Sequence, residues 1–189
     1  MKQLRIIILL LFGLLPALTA AGERPLVPYE GDAKDFSLAD YKGNKHRLED
    51  YRGKVVLINF WASWCPPCIF EMPELQRLKK HFSDQPFEVI TVNVAEKKYK
   101  VRRFSKLINL ELPVLLDTSS ETYDDWGVKT LPTSFLIDSS GQIRYQVRGN
   151  PGWETEEIRA IIKGKRIVGA QAYKVFSDEL EAQLKAVTK

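Results

Sequence analysis

The chain has 189 residues, of which 44% are hydrophobic and 28% are charged, and it contains 11 glycines and 10 prolines. This is the composition of one soluble globular domain, and it excludes collagen, coiled coils and disordered chains. Two cysteines are too few for a multi-disulfide scaffold, and a formal net charge of +4 gives no reason to expect a nucleic-acid partner.

The N-terminal residues carry the pattern of a secretory signal peptide. Lys2 and Arg5 precede an uncharged, mainly apolar stretch at 6–22 that ends in small residues. We therefore predict a signal peptide at 1–21, with an uncleaved membrane anchor as the alternative. Export would place the mature chain in the periplasm or another extracytoplasmic compartment. Two cysteines there either form a structural bridge or carry out redox chemistry.

The folded domain is predicted to follow a short connection. The segment 22–34 is polar and contains prolines and a glycine, which predicts a linker, and the domain is expected to span 35–189. Phe36 and Leu38 alternate with polar neighbours before a Gly43-Asn44 turn. This pattern predicts a β-hairpin at the start of the domain.

Strands and helices alternate through the rest of the chain. Near-continuous apolar runs predict buried strands, and apolar residues three and four apart predict helices. In chain order we predict a strand at 55–60, a helix at 65–82, a strand at 87–94, a helix at 97–109, a strand at 112–117, a helix at 118–126, a hairpin of strands at 132–138 and 142–149, and helices at 155–162 and from Ser177 onward. This order predicts an α/β fold whose central sheet is covered on both sides.

The predicted helix at 97–109 is strongly basic outside its apolar face. Its cations are Lys97, Lys98, Lys100, Arg102, Arg103 and Lys106. We interpret them as a solvated helix face, in preference to a nucleic-acid surface.

Redox chemistry is expected at Trp64-Cys65-Pro66-Pro67-Cys68, where a buried strand is followed by a helix. Free N–H groups and the positive end of the dipole at a helix start favour a thiolate, so Cys65 is the predicted nucleophile. Cys68, one turn further in and less exposed, is predicted to attack a mixed disulfide on Cys65 and release the partner. This chemistry needs no cofactor or metal beyond the two thiols.

The residues around the cysteines suggest the direction of electron flow. Pro66 and Pro67 remove two backbone donors that would otherwise stabilise the Cys65 thiolate. We therefore predict a reducing dithiol, with a potential nearer to that of thioredoxin, about −270 mV, than to that of DsbA, about −120 mV. Trp61 is expected to pack in the core, and Trp64 to border the docking surface.

Glu71 is the candidate proton carrier. It follows Cys68 by one helical turn and lies on the same side of the predicted helix. A carboxyl behind the disulfide in a partly apolar site would have a raised pKa and would take the Cys68 proton. The alternative is a surface glutamate paired with a lysine, and the spacing alone does not separate the two.

Several other functions are alternatives to a redox enzyme. Cys65, Cys68 and His81 have the spacing of the first three ligands of a zinc finger. The sequence offers no fourth ligand after His81, because the other histidine, His46, lies upstream in the hairpin. A copper-binding or copper-delivery protein is the main non-enzymatic alternative, because thiolates suit Cu(I). An oxidant or peroxiredoxin-like enzyme is a further alternative, although the reactive cysteine of a peroxiredoxin needs a hydroxyl three residues earlier, where Ala62 stands. A purely structural disulfide would close too small a loop to stabilise much.

Together these motifs resemble the exported TlpA/ResA/DsbE (CcmG)-type thiol:disulfide oxidoreductases of the thioredoxin superfamily. The resemblance covers roughly 35–149 and several motifs in order. They are Asn59 to Cys68, Glu71-Met72-Pro73, Gly127-Val128, Leu131-Pro132-Thr133, Phe135 to Asp138, and Gly141.

The resemblance implies a thioredoxin fold with an added N-terminal β-hairpin and a central insertion at Leu110–Trp126. It implies a cis peptide bond before Pro132, although base rates favour trans. A cis bond at this position would turn the Leu131 backbone toward Cys65, so that a substrate chain could pair with that backbone as an added strand. The family's active-site glutamate falls on Glu71, which favours the proton-handling role.

The resemblance also implies partners and a biological role. Such proteins reduce specific disulfides outside the cytoplasm, often those of the haem-attachment cysteines of apocytochrome c, and a membrane electron donor of the DsbD/CcdA kind recharges them. Classical thioredoxins have an aspartate where this chain has Asn59, so Glu71 is expected to act alone. We expect a monomer with a substrate-binding surface formed by Trp64, Pro66, Pro67, Leu131 and Pro132.

Overall fold

The computed structural model describes residues 26–164, which form eight strands, four α-helices and a 3-10 helix. In chain order these are β1 (Leu26–Asp32), β2 (Ser37–Ala39), β3 (Lys45–Arg47), a 3-10 helix (Leu48–Tyr51), β4 (Val55–Trp61), α1 (Pro66–His81), β5 (Phe87–Val94), α2 (Lys98–Leu107), β6 (Val114–Asp117), α3 (Glu121–Asp125), β7 (Thr133–Ile137), β8 (Gln142–Arg148) and α4 (Glu156–Ile162).

The strand β4 lies inside a mixed sheet and ends where the cysteine motif begins. The order of the six strands is β1-β8-β7-β4-β5-β6. β5 runs parallel to β4 and β6, whereas β7 is antiparallel to β4 and β8, and β1 is antiparallel to β8. β2 and β3 form a separate hairpin. The predicted α/β fold with an added N-terminal hairpin is confirmed.

β4 is apolar on both faces because both faces of the sheet are covered. Leu57 and Trp61 belong to a core shared with α1, α2 and α4. Ile58 and Phe60 belong to a second core, on the side of the hairpin. Burying an apolar side chain of this size stabilises the fold by about 1.5–3 kcal/mol. Since successive side chains of a strand point to opposite faces, the polar Asn59 shares the face of Leu57 and Trp61, beneath α1.

The linker prediction at 22–34 is wrong for Leu26–Asp32, which form β1. This strand pairs with β8 at the edge of the sheet, and its register shifts between Pro28 and Gly31. Proline and glycine interrupt a central strand but are tolerated at an edge, which is why they were misleading as linker signals. Tyr29 packs edge-on against Phe135, with 6.2 Å between the ring centroids.

The other predicted elements within 26–164 are confirmed, with small shifts at their ends. The largest shift is in the helix predicted at 118–126, which forms only over Glu121–Asp125. The carboxylate of Asp117 accepts hydrogen bonds from the backbone N–H groups of Thr122 and Tyr123, at 3.3 and 2.8 Å. The start of α3 is therefore held from the end of β6, and both elements lie within the predicted insertion.

Two predictions fall outside the described residues: the signal peptide at 1–21 and the helix from Ser177. Within 26–164, none of the helices combines the length and the apolar character needed to cross a bilayer.

Candidate active site

The two cysteines lie at the junction of β4 and α1. Cys65 has extended backbone angles at the N-cap position of α1, and Pro66 and Pro67 occupy the first helical positions. Proline is favoured there because its missing N–H would have no partner within the helix. Cys65 and Cys68 form a disulfide across the first turn, with 5.4 Å between their Cα atoms.

The disulfide is covered, but its surroundings are exposed and apolar. Cys65 is 4% exposed and Cys68 is fully buried, so Cys65 is the outer of the two. Beside them Trp64 is 64% exposed, and Pro66 and Pro67 are also exposed. The chain therefore presents an apolar surface at the point where a partner disulfide would reach Cys65.

Phe70 belongs to the same surface and was missed from the sequence. It is 76% exposed on the first turns of α1. The signal was present, since an apolar residue at this position is out of phase with the buried stripe of Cys68, Met72 and Leu75. We call the exposed group Trp64, Pro66, Pro67 and Phe70 the apolar rim.

The other predicted docking residues lie at the neighbouring strand. The Leu131–Pro132 peptide bond is cis, as the family resemblance implies. Leu131 is half-buried and Pro132 is buried. Thr133 pairs with Phe60 near the C-terminal end of β4. Leu131 and Pro132, which directly precede Thr133, therefore lie at the same end of the strands as the cysteines.

Glu71 is fully buried one helical turn after Cys68 and has no lysine partner among residues 26–164, so the alternative of a surface glutamate is wrong. Its carboxyl accepts hydrogen bonds from Asn59 Nδ2 at 2.7 Å and from Trp153 Nε1 at 2.9 Å. Asn59 Nδ2 also donates to Ser134 Oγ at 2.9 Å. Burial raises the pKa of Glu71 to about 7, although the two N–H donors oppose this rise. The carboxyl can therefore gain or lose a proton near neutral pH.

Trp153 comes from the segment between β8 and α4. It is buried, and besides its bond to Glu71 its backbone N–H donates to Glu74 Oε2 at 3.0 Å. Asn150 Nδ2 donates to the other oxygen of Glu74 at 3.2 Å. Two glutamates one turn apart on α1 thus fix this segment over the site. No local pattern predicts a contact between residues 82 positions apart.

A second carboxylate anchors the loop before the cysteines. Glu96, after β5, accepts hydrogen bonds from Ser63 N at 2.6 Å, Ser63 Oγ at 2.7 Å and Asn93 Nδ2 at 2.9 Å, and Lys100 Nζ lies 2.6 Å away. Burial by itself would raise the pKa of Glu96. The bonds from Lys100, Ser63 and Asn93 outweigh that effect and lower it to about 2. Sequence analysis missed this anchor as well.

The two histidines considered as metal ligands contact other groups. His46 Nδ1 lies 2.6 Å from the Tyr51 hydroxyl in the hairpin region, and His81 packs on Phe82 at the far end of α1. Within 26–164, the structure brings no three histidine, cysteine, aspartate or glutamate side chains together as a metal site.

Similarity to known proteins agrees with this geometry. The AhpC/TSA family matches residues 30–146. The thiol-disulfide oxidoreductase ResA of Geobacillus kaustophilus is 40% identical over 127 residues, which are 67% of this chain and 73% of that protein. ResA of Bacillus subtilis is 42% identical over 118 residues, covering 62% and 66% of the two chains.

A solved structure gives the same assignment. The crystal structure of a thiol:disulfide interchange protein DsbE from Chlorobium tepidum aligns with this one with a TM-score of 0.67. The alignment covers 74% of this chain and 98% of that one, and the two sequences are 32% identical. The protein with the Cys65–Cys68 pair thus belongs to the AhpC/TSA family and is a thioredoxin-fold thiol-disulfide oxidoreductase of the ResA and DsbE type.

Proposed function

We propose that this enzyme is an exported reductase of specific protein disulfides that acts in cytochrome c maturation. The observation that carries the proposal is the buried Glu71, which lies one helical turn after Cys68 and has a pKa of about 7, behind a disulfide with an exposed apolar rim. The resemblance to reductases of apocytochrome c haem-attachment cysteines supports the substrate class.

The first step is attack by the reduced protein on its partner. The Cys65 thiolate at the start of α1 attacks one sulfur of the partner disulfide and forms a mixed disulfide, and the other partner sulfur leaves as a thiolate. The backbone N–H groups and dipole at the helix start favour the Cys65 thiolate. Pro66 and Pro67 limit that stabilisation, which favours a reducing potential.

The second step returns the disulfide seen in this structure. Cys68 gives its proton to the Glu71 carboxylate and attacks the Cys65 sulfur, which releases the partner's second sulfur as a thiolate. Two electrons pass from the dithiol to the partner, and the partner thiolates take up protons. Residues three apart on a helix lie about 5–6 Å from each other at Cβ, which places Glu71 beside Cys68. Asn59 and Trp153 hold its carboxyl in position.

Substrate binding is assigned to the apolar rim together with Leu131 and Pro132. The exposed Trp64 and Phe70 supply apolar contact area beside Cys65. An extended partner segment would pair with the Leu131 backbone as an added strand, which fixes its disulfide near the nucleophile.

The cellular setting completes the proposal. The signal peptide predicted at 1–21 directs the chain to the periplasm or another extracytoplasmic compartment, where the protein acts as a monomer. A membrane donor of the DsbD/CcdA kind returns two electrons to the Cys65–Cys68 disulfide after each turnover. No further cofactor takes part.

Trapping tests this function. A Cys68→Ala variant of the full chain is mixed with an oxidised peptide that carries the haem-attachment sequence Cys-X-X-Cys-His. We expect a mixed disulfide through Cys65 and none with Cys65→Ala, the matched control. Equilibration of the unmodified protein with a thiol redox buffer should give a potential near about −270 mV. A potential near about −120 mV, or no trapped peptide, would contradict the proposal.

A further inference from the structure

The outer surface of α2 carries a concentration of positive charge. We call its five exposed cations the basic face: Lys97, Lys98, Arg102, Arg103 and Lys106. The sixth cation, Lys100, is paired with Glu96. Among residues 26–164, none of the five has an acidic ion-pair partner. Tyr99, 72% exposed, lies among them.

This arrangement is unfavourable for an isolated helix. Lys98, Arg102 and Lys106 follow one another at spacings of four, where like charges repel. The first turn of α2 contains no acidic residue, so its cations oppose the positive end of the helix dipole. Solubility alone is served by a surface that mixes both signs. A solvated face therefore explains the exposure of these residues but not their uniform sign, whereas an anionic partner would relieve the repulsion.

The basic face begins beside the cysteines. One carboxylate, that of Glu96, binds both Lys100 of α2 and Ser63, two residues before Cys65. On the inner side of α2, Phe104 packs on Trp61 at the end of β4, with ring centroids 5.9 Å apart. The helix is thus fixed against the loop that carries the exposed Trp64, with its cations turned to solvent.

We propose that the basic face docks an acidic segment of the protein whose disulfide this enzyme reduces. The inference rests on the proposed function and names the charge of its substrate. Acidic residues next to the partner disulfide would contact α2 while the apolar rim receives the disulfide itself. Complementary charge of this kind raises the rate of encounter and fixes orientation. An anionic membrane is a less suitable occupant, because it would turn the neighbouring apolar rim toward the bilayer and away from partners.

Three synthetic peptides test the proposal. They have equal length and one internal disulfide, flanked by glutamates, by glutamines or by lysines. At low salt the reduced full chain should reduce the glutamate peptide with a second-order rate constant about tenfold above that for the glutamine peptide. The lysine peptide should be the slowest. The difference should shrink as ionic strength rises, because salt screens exposed charges.

Two variants with the same net charge locate the effect. Lys98→Glu/Arg102→Glu reverses charge on the basic face, and Lys45→Glu/Lys80→Glu reverses it on the hairpin and at the far end of α1. We expect the first variant to lose the preference for the glutamate peptide and the second to keep it. Both should reduce the glutamine peptide at the unmodified rate, which shows that the fold and the cysteines are intact.

The remaining outcomes distinguish a failure of the docking inference from a failure of the proposed reductase function. Equal reduction of all three peptides, or equal loss of preference in both variants, would overturn the docking inference and leave the reductase function standing. Reduction of none of the peptides would overturn the function and the inference with it. Binding to phosphatidylglycerol vesicles that is lost in Lys98→Glu/Arg102→Glu, with the peptide preference unchanged, would assign the face to the membrane and refute the proposal.

Discussion

Trp153 donates its indole N–H to the buried carboxyl of Glu71 over 2.9 Å, and so connects the segment after β8 to the helix that carries both cysteines. This bond lowers the pKa of Glu71, against the larger opposite effect of burial. The C-terminal part of the described chain thus bears directly on the proton chemistry of the site.

Trp153→Phe should raise the pKa of Glu71 further above about 7, because the carboxylate loses a donor while the aromatic packing stays. In stopped-flow measurements of mixed-disulfide resolution, the rate should then rise at a higher pH than in the unmodified protein. The matched control is Trp126→Phe, since the Trp126 Nε1 has no hydrogen-bond partner among the described residues. An unchanged profile in Trp153→Phe would show that the bond does not tune Glu71.

Glu71→Gln should slow the second chemical step while sparing the first. A glutamine cannot accept the Cys68 proton, and loss of such a proton carrier slows a reaction by about 10²–10⁴-fold. Mixed disulfide with a peptide substrate should therefore accumulate at neutral pH and be visible by mass spectrometry. Glu88→Gln, a glutamate that pairs with Lys79 away from the cysteines, serves as control. Equal resolution rates in both variants would remove Glu71 from the mechanism.

Glu71 should also make stability depend on pH. Its pKa is raised from 4.5 to about 7 in the folded state, so the folded protein holds a proton there that the unfolded chain loses. The free energy of unfolding should therefore fall as pH rises from about 4.5 to 7, by up to about 3 kcal/mol. Urea titrations across this range should show the slope in the unmodified protein and its loss in Glu71→Gln. A flat profile in the unmodified protein would contradict the raised pKa.

Glu96→Gln should show the opposite pH dependence. The pKa of Glu96 is lowered to about 2, so its stabilisation is present above about 4.5 and is lost as pH falls toward 2. At pH 7 the substitution should cost about 1.5–3 kcal/mol, the range for hydrogen bonds to a charged group. Chemical denaturation measures this change. An unaltered free energy of unfolding would show that the carboxylate does not anchor Ser63 and the loop before Cys65.

Trp64→Ala and Phe70→Ala should affect partners more than folding. Both side chains are largely exposed, so each change should alter the free energy of unfolding by no more than about 0.5 kcal/mol. Reduction of a protein substrate should slow, while reduction of a small neutral disulfide should not. Leu107→Ala removes an equally exposed side chain at the end of α2 and provides the control. A large fall in melting temperature with an unchanged rate of reduction of the protein substrate would show that Trp64 contributes to folding and not to substrate binding.

The fold was predictable where neighbouring residues determine it. The apolar runs of β4 and β5 mark strands buried on both faces, and the cysteines at a strand-to-helix junction mark the site. β1 has the sequence pattern of a linker, because an edge strand tolerates the same Pro28 and Gly31 that a linker contains. Glu71 was identified as a candidate, but its burial depends on packing that no spacing reveals.

The supporting side chains of the site were not predictable from local pattern. Ser134 and Trp153 meet Asn59 and Glu71 from strands and loops far along the chain. Glu96 reaches Ser63 across 33 positions. Such contacts are products of the sheet order and of how α1 and α2 lie on it.

The order of the two cysteines in the reaction is tested most directly by alkylation of the reduced full chain. The protein is exposed to limiting iodoacetamide across a range of pH, and mass spectrometry identifies which sulfur is modified. Cys65 should be labelled first and at neutral pH, while the fully buried Cys68 reacts slowly. Preferential labelling of Cys68, or an inert Cys65 at neutral pH, would contradict the assignment of nucleophile and resolving thiol.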